Sequence, residues 1–257
     1  MLLAIDIGNS LIKFGIYEGS SLVNRFTITT NLNYTADELA FDRFHVLDDE
    51  FILLKFDSAY VASVVPPLNW VIAELCLRLF RLSPVFVHGG FDLGMKVAYK
   101  DPTSLGADRF VSAFAARQRY GKPVVICSLG TATTIDVVDE KGTFRGGMIL
   151  PGMGTMSDSL NRKTAKLPAV RIEKPALLIG SSTETAIASG IFYGNIAMLE
   201  GLVRRIKDET GLHHAPVVAT GGFAPLIAEN TDIFTDFYEN LVLDGLQMIA
   251  EHDQSRR

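Results

Sequence analysis

Short apolar runs separated by polar turns open the chain and predict three successive strands. Leu2 to Ile7 is rich in strand-favouring residues, and Ile12 to Tyr17 follows it across a short turn that contains glycine. A polar break then precedes a third run, Leu22 to Thr29. The chain therefore begins with a strand, a tight turn, a second strand, another turn and a third strand.

Strand and helix patterns alternate through the rest of the first half. Trp70 to Leu82 carries apolar residues at helical spacing, and Pro66 and Pro67 stand where proline fits the start of a helix. Further elements are predicted as helices near Thr35 to Asp42 and over Gly106 to Tyr120, and as strands over Ser58 to Val65 and Pro84 to His88. Such alternation is typical of an α/β layer architecture.

The second half begins with the same order of elements as the first. Strands are predicted over Val124 to Leu129, Thr134 to Val138 and Gly142 to Met148. The segment AIDIGNSLIKF, from Ala4, aligns without a gap at the turn with ICSLGTATTID, from Ile126. Two unrelated hairpins would also look somewhat alike, so that alternative stays open. The position of each copy at the start of one half favours a duplication.

A long helix over Glu184 to Glu209, a strand over Pro216 to Ala219 and a closing helix around Asn240 to His252 complete the second half. No linker rich in Pro, Ser or charge separates the halves. The predicted fold is therefore α/β, with two duplicated domains, 1–116 and 117–257. Each domain is expected to be a mixed sheet flanked by helices, and the two are expected to share a cleft.

Composition restricts the class of protein. The 257 residues are 48% hydrophobic and 21% charged, as in ordinary soluble globular chains. A net charge of −5 gives no reason to expect nucleic acid or an anionic membrane as a partner. Cys76 and Cys127 lie in apolar runs and are predicted to be buried free thiols. The start MLLAIDIGNS does not resemble a signal peptide, and no apolar stretch approaches the roughly 20 residues of a spanning helix, so we expect a cytoplasmic protein.

Two segments of the first half carry candidate chemistry. Asp6 ends a buried strand and is followed by Gly8, so the carboxylate can hold Mg²⁺ while turn amides and Ser10 contact phosphate oxygens. Asp108 and Arg109 begin a helix, where Asp108 can accept the proton of a hydroxyl and Arg109 can bind a carboxylate or phosphate. An Asp that caps its own turn or helix explains both segments without function, and this alternative stays open.

Two glycine-containing segments of the second half complete the candidates. SLGTATT, from Ser128, supplies a second glycine turn flanked by hydroxyls, although a Thr-rich strand is also common for packing reasons. A later strand ends in Gly221 and Gly222, against which a flat ring can lie. No Walker A sequence or dinucleotide fingerprint occurs. Two phosphate turns and a late glycine pair resemble the actin, hexokinase and Hsp70 superfamily, which implies two actin-like, ribonuclease H-like domains.

Seven segments in order resemble the type III pantothenate kinases over nearly the whole chain. They are DIGNS at Asp6, SVVP at Ser63, the stretch from Tyr99 to Arg109 that ends in GADR, GTATTID at Gly130, GG-x-I-x-PG at Gly146, IG-x-ST at Ile179 and the glycine pair at Gly221. The resemblance implies ATP-dependent phosphorylation of pantothenate to 4′-phosphopantothenate, the first step of coenzyme A biosynthesis. It also implies Mg²⁺, a monovalent cation, K⁺ or NH₄⁺, and a homodimer.

The resemblance also implies roles for individual residues. Asp108 would be the general base on the pantothenate hydroxyl, and Asp6 the metal-associated carboxylate. The implied pantothenate site consists of Tyr99, Gly106, Ala107, Asp108, Arg109 and, from the partner subunit of a dimer, Thr183. The implied ATP site consists of Asp6, Gly8, Asn9, Ser10, Lys13, Gly130, Thr131 and Thr133.

Ser128 departs from the family pattern. The family usually has an Asp at this place before x-Gly-Thr, and its carboxylate is associated with cation binding. Ser128 is therefore a metal candidate without the carboxylate, which calls the monovalent-cation requirement into question. Two alternatives stay open beside the kinase: a non-catalytic transcription accessory protein like the Bvg accessory factor, and another small-acid or sugar kinase of the superfamily.

Overall fold

A computed structural model describes residues 1–40 and 55–256 of the chain. Within these ranges the strands are β1 (Leu2–Ile7), β2 (Leu11–Glu18), β3 (Ser21–Thr29), β4 (Ser58–Ser63), β5 (Val85–Val87), β6 (Val124–Leu129), β7 (Ala132–Val138), β8 (Phe144–Pro151), β9 (Val217–Thr220) and β10 (Asp236–Tyr238). The helices are α1 (Ala36–Leu39), α2 (Asn69–Phe80), α3 (Ala107–Tyr120), α4 (Met153–Lys163), α5 (Thr183–Thr210), α6 (Ala224–Ala228) and α7 (Leu241–Ser255).

The chain divides into two compact units. The first consists of Met1–Ala115 and Leu241–Arg257, and the second of Ala116–Asn240. The change of unit inside α3 lies next to the predicted boundary between 116 and 117. The C-terminal residues differ from the prediction, which assigned 117–257 to one domain, because the last helix packs in the first unit.

The first unit contains a five-stranded mixed sheet in the order β3-β2-β1-β4-β5. β1 pairs antiparallel with β2 and parallel with β4, while β3 and β5 occupy the edges. Leu3, Ile5 and Ile7 of β1 pack in one core with Leu75 of α2. Because side chains alternate along a strand, Asp6 lies on the opposite face of the sheet.

The second unit contains a five-stranded sheet of the same topology, β8-β7-β6-β9-β10. β6 pairs antiparallel with β7 and parallel with β9, as β1 does with β2 and β4. The order of strands and the direction of their pairing are therefore repeated. The predicted α/β fold with two duplicated mixed sheets is confirmed.

The two opening hairpins differ by one residue in the length of their turns. Asp6 pairs with Lys13 in the first hairpin, whereas Ser128 pairs with Thr134 in the second. The alignment without a gap would have placed Ile135 opposite Ser128, so it is wrong beyond the turn. A shift of one residue exchanges the faces of a strand, and this difference therefore decides which side chains share a face.

Helix α7 completes the first unit. The hydroxyl of Tyr17 donates to Asp244 at 2.6 Å, and the hydroxyl of Tyr60 donates to Asp253 at 2.6 Å. The buried side chains of the helix include Leu241, Leu243, Leu246 and Ile249. The sequence indicates an apolar helix face here, but its pattern does not specify which of two similar sheets it covers.

Helix α5 has the composition of a membrane-spanning helix. Among the described residues, Thr183–Thr210 is the one helix that is long and apolar enough to cross a membrane by length and composition alone. This differs from the expectation that no such stretch exists. Phe192, Leu199 and Val203 of α5 pack in the core of the second unit, and core helices of soluble proteins have the same composition.

Most predicted elements are present with ends shifted by a few residues. The helix expected near Thr35 to Asp42 is α1, and residues 41 and 42 lie outside the described ranges. Helices α4 and α6 and strand β10 were not predicted, because α4 has few apolar residues and the other two are short. Cys76 and Cys127 are buried and free, as predicted.

Candidate active site

The carboxylate of Asp6 is buried at the end of β1. The residue is 8% exposed, and Lys13 lies opposite it on β2. Burial raises the pKa of Asp6 to about 7; the Lys13 ammonium opposes this rise, and the nearby Asp108 carboxylate adds to it. A buried carboxylate with a raised pKa is stabilised in its charged form by a cation. Asp6 is therefore suited to hold a metal ion beside the first glycine turn.

The turn after β1 is closed by backbone hydrogen bonds and by one threonine. The Gly8 amide donates to the Leu11 carbonyl at 3.0 Å, and the Thr30 amide donates to the Ser10 carbonyl at 2.9 Å. The Thr30 hydroxyl donates to the Gly8 carbonyl at 2.6 Å. Asn9 and Ser10 are exposed. Thr30 was not predicted as part of the site, because no local pattern relates it to a turn 22 residues away.

Asp108 begins α3 with its carboxylate partly buried. Burial raises the pKa of Asp108, and the amide and positive charge of Arg109 oppose this rise. The Arg109 amide donates to Oδ1 of Asp108 at 2.8 Å. A side-chain carbon at Gly106 would lie 2.8 Å from the same oxygen, so a glycine leaves room for the carboxylate. Asp108 is therefore a stronger base than an exposed Asp.

Arg109 places its guanidinium beside a tyrosine. The residue is 9% exposed, and its Nη1 donates to the Tyr99 hydroxyl at 3.1 Å. Ala107 is buried in the same first turn of α3. A guanidinium removed from water binds carboxylates strongly through its planar donors. The first unit therefore places the Asp108 carboxylate near the Asp6 carboxylate and beside the charge of Arg109.

The glycine turn of the second unit lies between β6 and β7. The Gly130 amide donates to the Ala132 carbonyl at 3.0 Å and closes the turn. Thr131 is exposed and Gly130 half-buried, so both are accessible to a ligand. Thr133 is 2% exposed, which leaves its side chain little access. Of the predicted ATP residues of this turn, Gly130 and Thr131 are therefore accessible to a ligand, whereas the side chain of Thr133 is not.

Glycines from two later segments pack against this turn. A side-chain carbon at Gly152 would lie 2.2 Å from the carbonyl oxygen of Gly130. At Gly221, whose φ is +97°, it would lie 2.6 Å from the carbonyl oxygen of Leu129. The neighbouring Gly222 has open space where its side chain would be. In the predicted glycine pair, Gly221 thus allows close packing against the backbone of Leu129, and the space beside Gly222 is open.

A buried carboxylate, Asp136, lies in β7 and was not singled out by the sequence analysis. It is 2% exposed and accepts a hydrogen bond from the Thr134 hydroxyl at 3.2 Å. A side-chain carbon at Gly147 would lie 2.5 Å from its Oδ1, so a glycine makes room for it. Ser128 is half-buried opposite Thr134. The signal in the sequence that could have identified Asp136 was a single charged residue in the strand Ala132–Val138.

Thr183 is the first residue of α5 and is exposed. Ser182 caps the helix, since its hydroxyl accepts from the Thr185 amide at 3.2 Å and its amide donates to the Thr185 hydroxyl at 2.9 Å. The helix start at Thr183 is therefore fixed in place.

In residues 1–40 and 55–256, no three His, Cys, Asp or Glu side chains form a metal-binding group.

The repeated strand order defines a duplicated α/β protein with two five-stranded mixed sheets. The structure matches a conserved protein from Campylobacter jejuni described as a Baf family transcriptional activator, with a TM-score of 0.63, 19% identity, and 98% and 99% of the two chains covered. It also matches the activator of 2-hydroxyisocaproyl-CoA dehydratase from Clostridium difficile, with a TM-score of 0.57, 13% identity, and 99% and 96% covered. At these identities the likeness shows the fold alone.

Sequence comparison gives the family. The family model described as type III pantothenate kinase matches residues 2–205. A relative of that name from Brevibacillus brevis is 41% identical over 258 residues, which cover 99% of this chain and 100% of the relative. Another from Paramagnetospirillum magneticum is 42% identical over 257 residues, 99% and 98% of the two chains. The chain belongs to the type III pantothenate kinase family.

Proposed function

We propose that this chain transfers the γ-phosphoryl group of ATP to the hydroxyl of pantothenate and forms 4′-phosphopantothenate, the first step of coenzyme A biosynthesis. Family membership supports the activity, because relatives of that name are 39% to 42% identical over the whole chain. The observation that carries the proposal within the site is Asp108, a carboxylate with a raised pKa at a helix start beside the buried Arg109.

Asp108 acts in this proposal as the general base. A carboxylate whose pKa is raised by burial accepts a proton more readily than an ordinary Asp. As the hydroxyl oxygen bonds to the γ-phosphorus, the bond to the bridging oxygen of ADP breaks and the hydroxyl proton passes to Asp108. Because the transition state of phosphoryl transfer is loose, alignment of the hydroxyl and neutralisation of charge contribute most of the acceleration.

Arg109 binds the pantothenate carboxylate in this proposal. Its guanidinium is held by the Tyr99 hydroxyl and is largely removed from water, which strengthens an ion pair with a ligand. Gly106 keeps side-chain atoms away from the carboxylate of Asp108, and Ala107 adds only a methyl group to the helix start. The carboxylate of pantothenate would thus bind Arg109, and its hydroxyl would lie at Asp108.

The ATP phosphates are proposed to bind at the two glycine turns, to the residues Gly8, Asn9, Ser10, Lys13, Gly130, Thr131 and Thr133. A divalent metal such as Mg²⁺ fits this site, because the buried carboxylate of Asp6 is stabilised by a cation. No three-carboxylate group occurs in the described ranges, so phosphate and water oxygens would complete the coordination. Bound there, the metal supplies neutralisation of phosphate charge.

Asp108→Asn tests the base. We expect kcat to fall by about 10² to 10⁴-fold, with an unchanged melting temperature. Asp139→Asn is the matched control, because Asp139 caps a turn through the amides of Lys141 and Thr143, both at 2.9 Å, away from these residues in the sequence. The measurement is ADP release that depends on pantothenate. Equal rates for the two variants would show that Asp108 is not the base.

The monovalent cation, K⁺ or NH₄⁺, is proposed to matter less here than in relatives with Asp at this position. Ser128 lacks the carboxylate, and a neutral hydroxyl attracts a cation weakly. Wild-type activity should therefore change little between K⁺, NH₄⁺ and tetramethylammonium salts. Ser128→Asp should introduce a dependence on K⁺ or NH₄⁺. A strong dependence in the wild type would contradict this.

A homodimer is proposed, with the partner subunit's Thr183 contributing to the pantothenate site. The second unit exposes large apolar side chains on the edge strand β8 and just before α5, namely Met148, Ile149, Leu177, Leu178 and Ile179. Grouped exposed apolar residues mark protein interfaces. Ile149→Lys should yield monomers in light scattering and raise KM for pantothenate, whereas Leu32→Lys, at an exposed apolar residue of the first unit, should do neither. Dimers of both variants would contradict the interface.

A non-catalytic role in transcription is the second candidate, and Ser128 is the observation that favours it. Pantothenate-dependent ADP release by purified protein separates the two functions, and a panel of small acids and sugars separates pantothenate from other acceptors. No turnover in the wild type with recovery in Ser128→Asp would favour the accessory role. The cytoplasmic location expected from the sequence remains a prediction, which fractionation of cells can test.

A further inference from the structure

The start of α4 holds the glycine turn of the second unit through a single carbonyl oxygen. The Gly152 amide donates to the Thr131 carbonyl at 3.1 Å, and the Thr155 hydroxyl donates to the same oxygen at 2.6 Å. The turn also closes on itself between the Gly130 amide and the Ala132 carbonyl at 3.0 Å. Two donors from one helix start therefore fix the peptide unit that follows Thr131.

Close packing at Gly152 makes this arrangement possible. A side-chain carbon there would lie 2.2 Å from the carbonyl oxygen of Gly130 and 2.7 Å from that of Thr131. The next residue, Met153, is 2% exposed and belongs to the core of the second unit. Because Met153 is buried, the start of α4 cannot move away from the turn without exposing this side chain to water.

Fixing the Thr131 carbonyl matters for a phosphate ligand because peptide units are planar. In a trans peptide, the carbonyl and the following amide point in opposite directions. Donors on the Thr131 carbonyl therefore set the direction of the Ala132 amide. Turns bind phosphate oxygens through amides, and binding is tighter when the directions of these amides are set before the ligand arrives.

We propose that Thr155 is a positioning residue for ATP, whose hydroxyl, with the Gly152 amide, holds the phosphate turn in the shape that accepts the polyphosphate. This inference rests on the proposed function, in which Gly130 and Thr131 contact the ATP phosphates. Thr155 acts through the Thr131 carbonyl and does not touch the ligand. The side chain is exposed, so its replacement leaves the core intact.

Three variants separate this role from a structural one. Thr155→Val removes the hydroxyl and keeps the shape, and Thr155→Ser keeps the hydroxyl. Thr164→Val is the control at the other end of α4, where the exposed Thr164 hydroxyl donates to the Leu160 carbonyl at 2.8 Å and accepts from the Leu167 amide at 3.2 Å. The Kd of Mg·ATP, measured by calorimetry without pantothenate, should rise about five-fold in Thr155→Val, as expected for one lost hydrogen bond. Thr155→Ser and Thr164→Val should bind ATP as the wild type does.

Equal ATP affinity of Thr155→Val and Thr164→Val would overturn the proposal, and so would a loss that Thr155→Ser fails to restore. Gly130→Ala distinguishes this failure from failure of the proposed function. A side-chain carbon at Gly130 has the Ala132 carbonyl as its nearest neighbour, at 3.6 Å, so this variant should fold while its added methyl group hinders the phosphates. If Gly130→Ala weakens ATP binding and Thr155→Val does not, only the role of Thr155 is wrong. If neither does, the phosphate turn is misassigned and both proposals fail.

Discussion

Replacing Gly221 with alanine should destabilise the second unit, whereas the same change at Gly222 should not. The φ of +97° at Gly221 lies in the left-handed region, which costs other residues about 1–2 kcal/mol. An added carbon would also lie 2.6 Å from the carbonyl oxygen and 2.8 Å from the nitrogen of Leu129. These are backbone atoms at the end of β6, a strand paired on both sides, so they cannot yield easily. Gly222 meets no atom within 4 Å and has no positive φ.

The strained φ and the contact together should lower the free energy of unfolding by about 3 kcal/mol. For a chain of this length, that loss corresponds to a melting temperature lower by about 6 to 12 °C. Differential scanning calorimetry of the wild type, Gly221→Ala and Gly222→Ala measures it directly. If the two variants melt within about 1 °C of each other, Gly221 does not pack on Leu129 as described.

Three further predictions concern the first unit. Asp6 has a pKa of about 7 in the folded state, above the ordinary 3.8, so the folded state binds this proton more tightly than the unfolded state. The free energy of unfolding of the wild type should therefore fall as the pH rises from about 4 to 7, by up to about 1.4 kcal/mol per pH unit. Asp6→Asn should remove this slope in urea titrations run in EDTA, and identical slopes would refute the buried carboxylate. Deletion of residues 241–257 should abolish cooperative unfolding of the first unit, because it uncovers β1 and removes the partner of Tyr17; a protease-resistant first unit in the deleted chain would contradict this. Thr30→Val should raise KM for ATP by about five-fold through loss of the bond to Gly8, with Thr30→Ser near normal; an unchanged KM in Thr30→Val would show that the first turn does not depend on that bond.

Local sequence patterns predicted the parts of the fold and site that depend on residues close together in the chain. The apolar run before Asp6 and the glycine after it identify a buried strand that ends in a turn, whatever the rest of the chain does. Asp108 and Arg109 could likewise be placed at a helix start, because the alanine-rich pattern that follows them is helical. The physical reason is that strand and helix periodicities are local properties of the chain.

Contacts between distant segments could not be predicted from such patterns. Thr30 reaches Gly8 across 22 residues, and Thr155 reaches Thr131 across 24. Each is an ordinary threonine in a polar stretch, and only the folded chain gives it a partner. The placement of α7 in the first unit has the same cause, since its apolar face would suit either sheet.

The difference of one residue between the two turns also gives a physical reason why serine is tolerated at position 128. In the first unit, the buried carboxylate of Asp6 faces Lys13, whose ammonium favours its charged form. The equivalent pair in the second unit is Ser128 and Thr134, two neutral hydroxyls. A carboxylate at position 128 would face a hydroxyl and lie on the same sheet face as the buried Asp136, so it would need a bound cation to offset burial and repulsion. Serine at this position removes the negative charge that such a cation would offset.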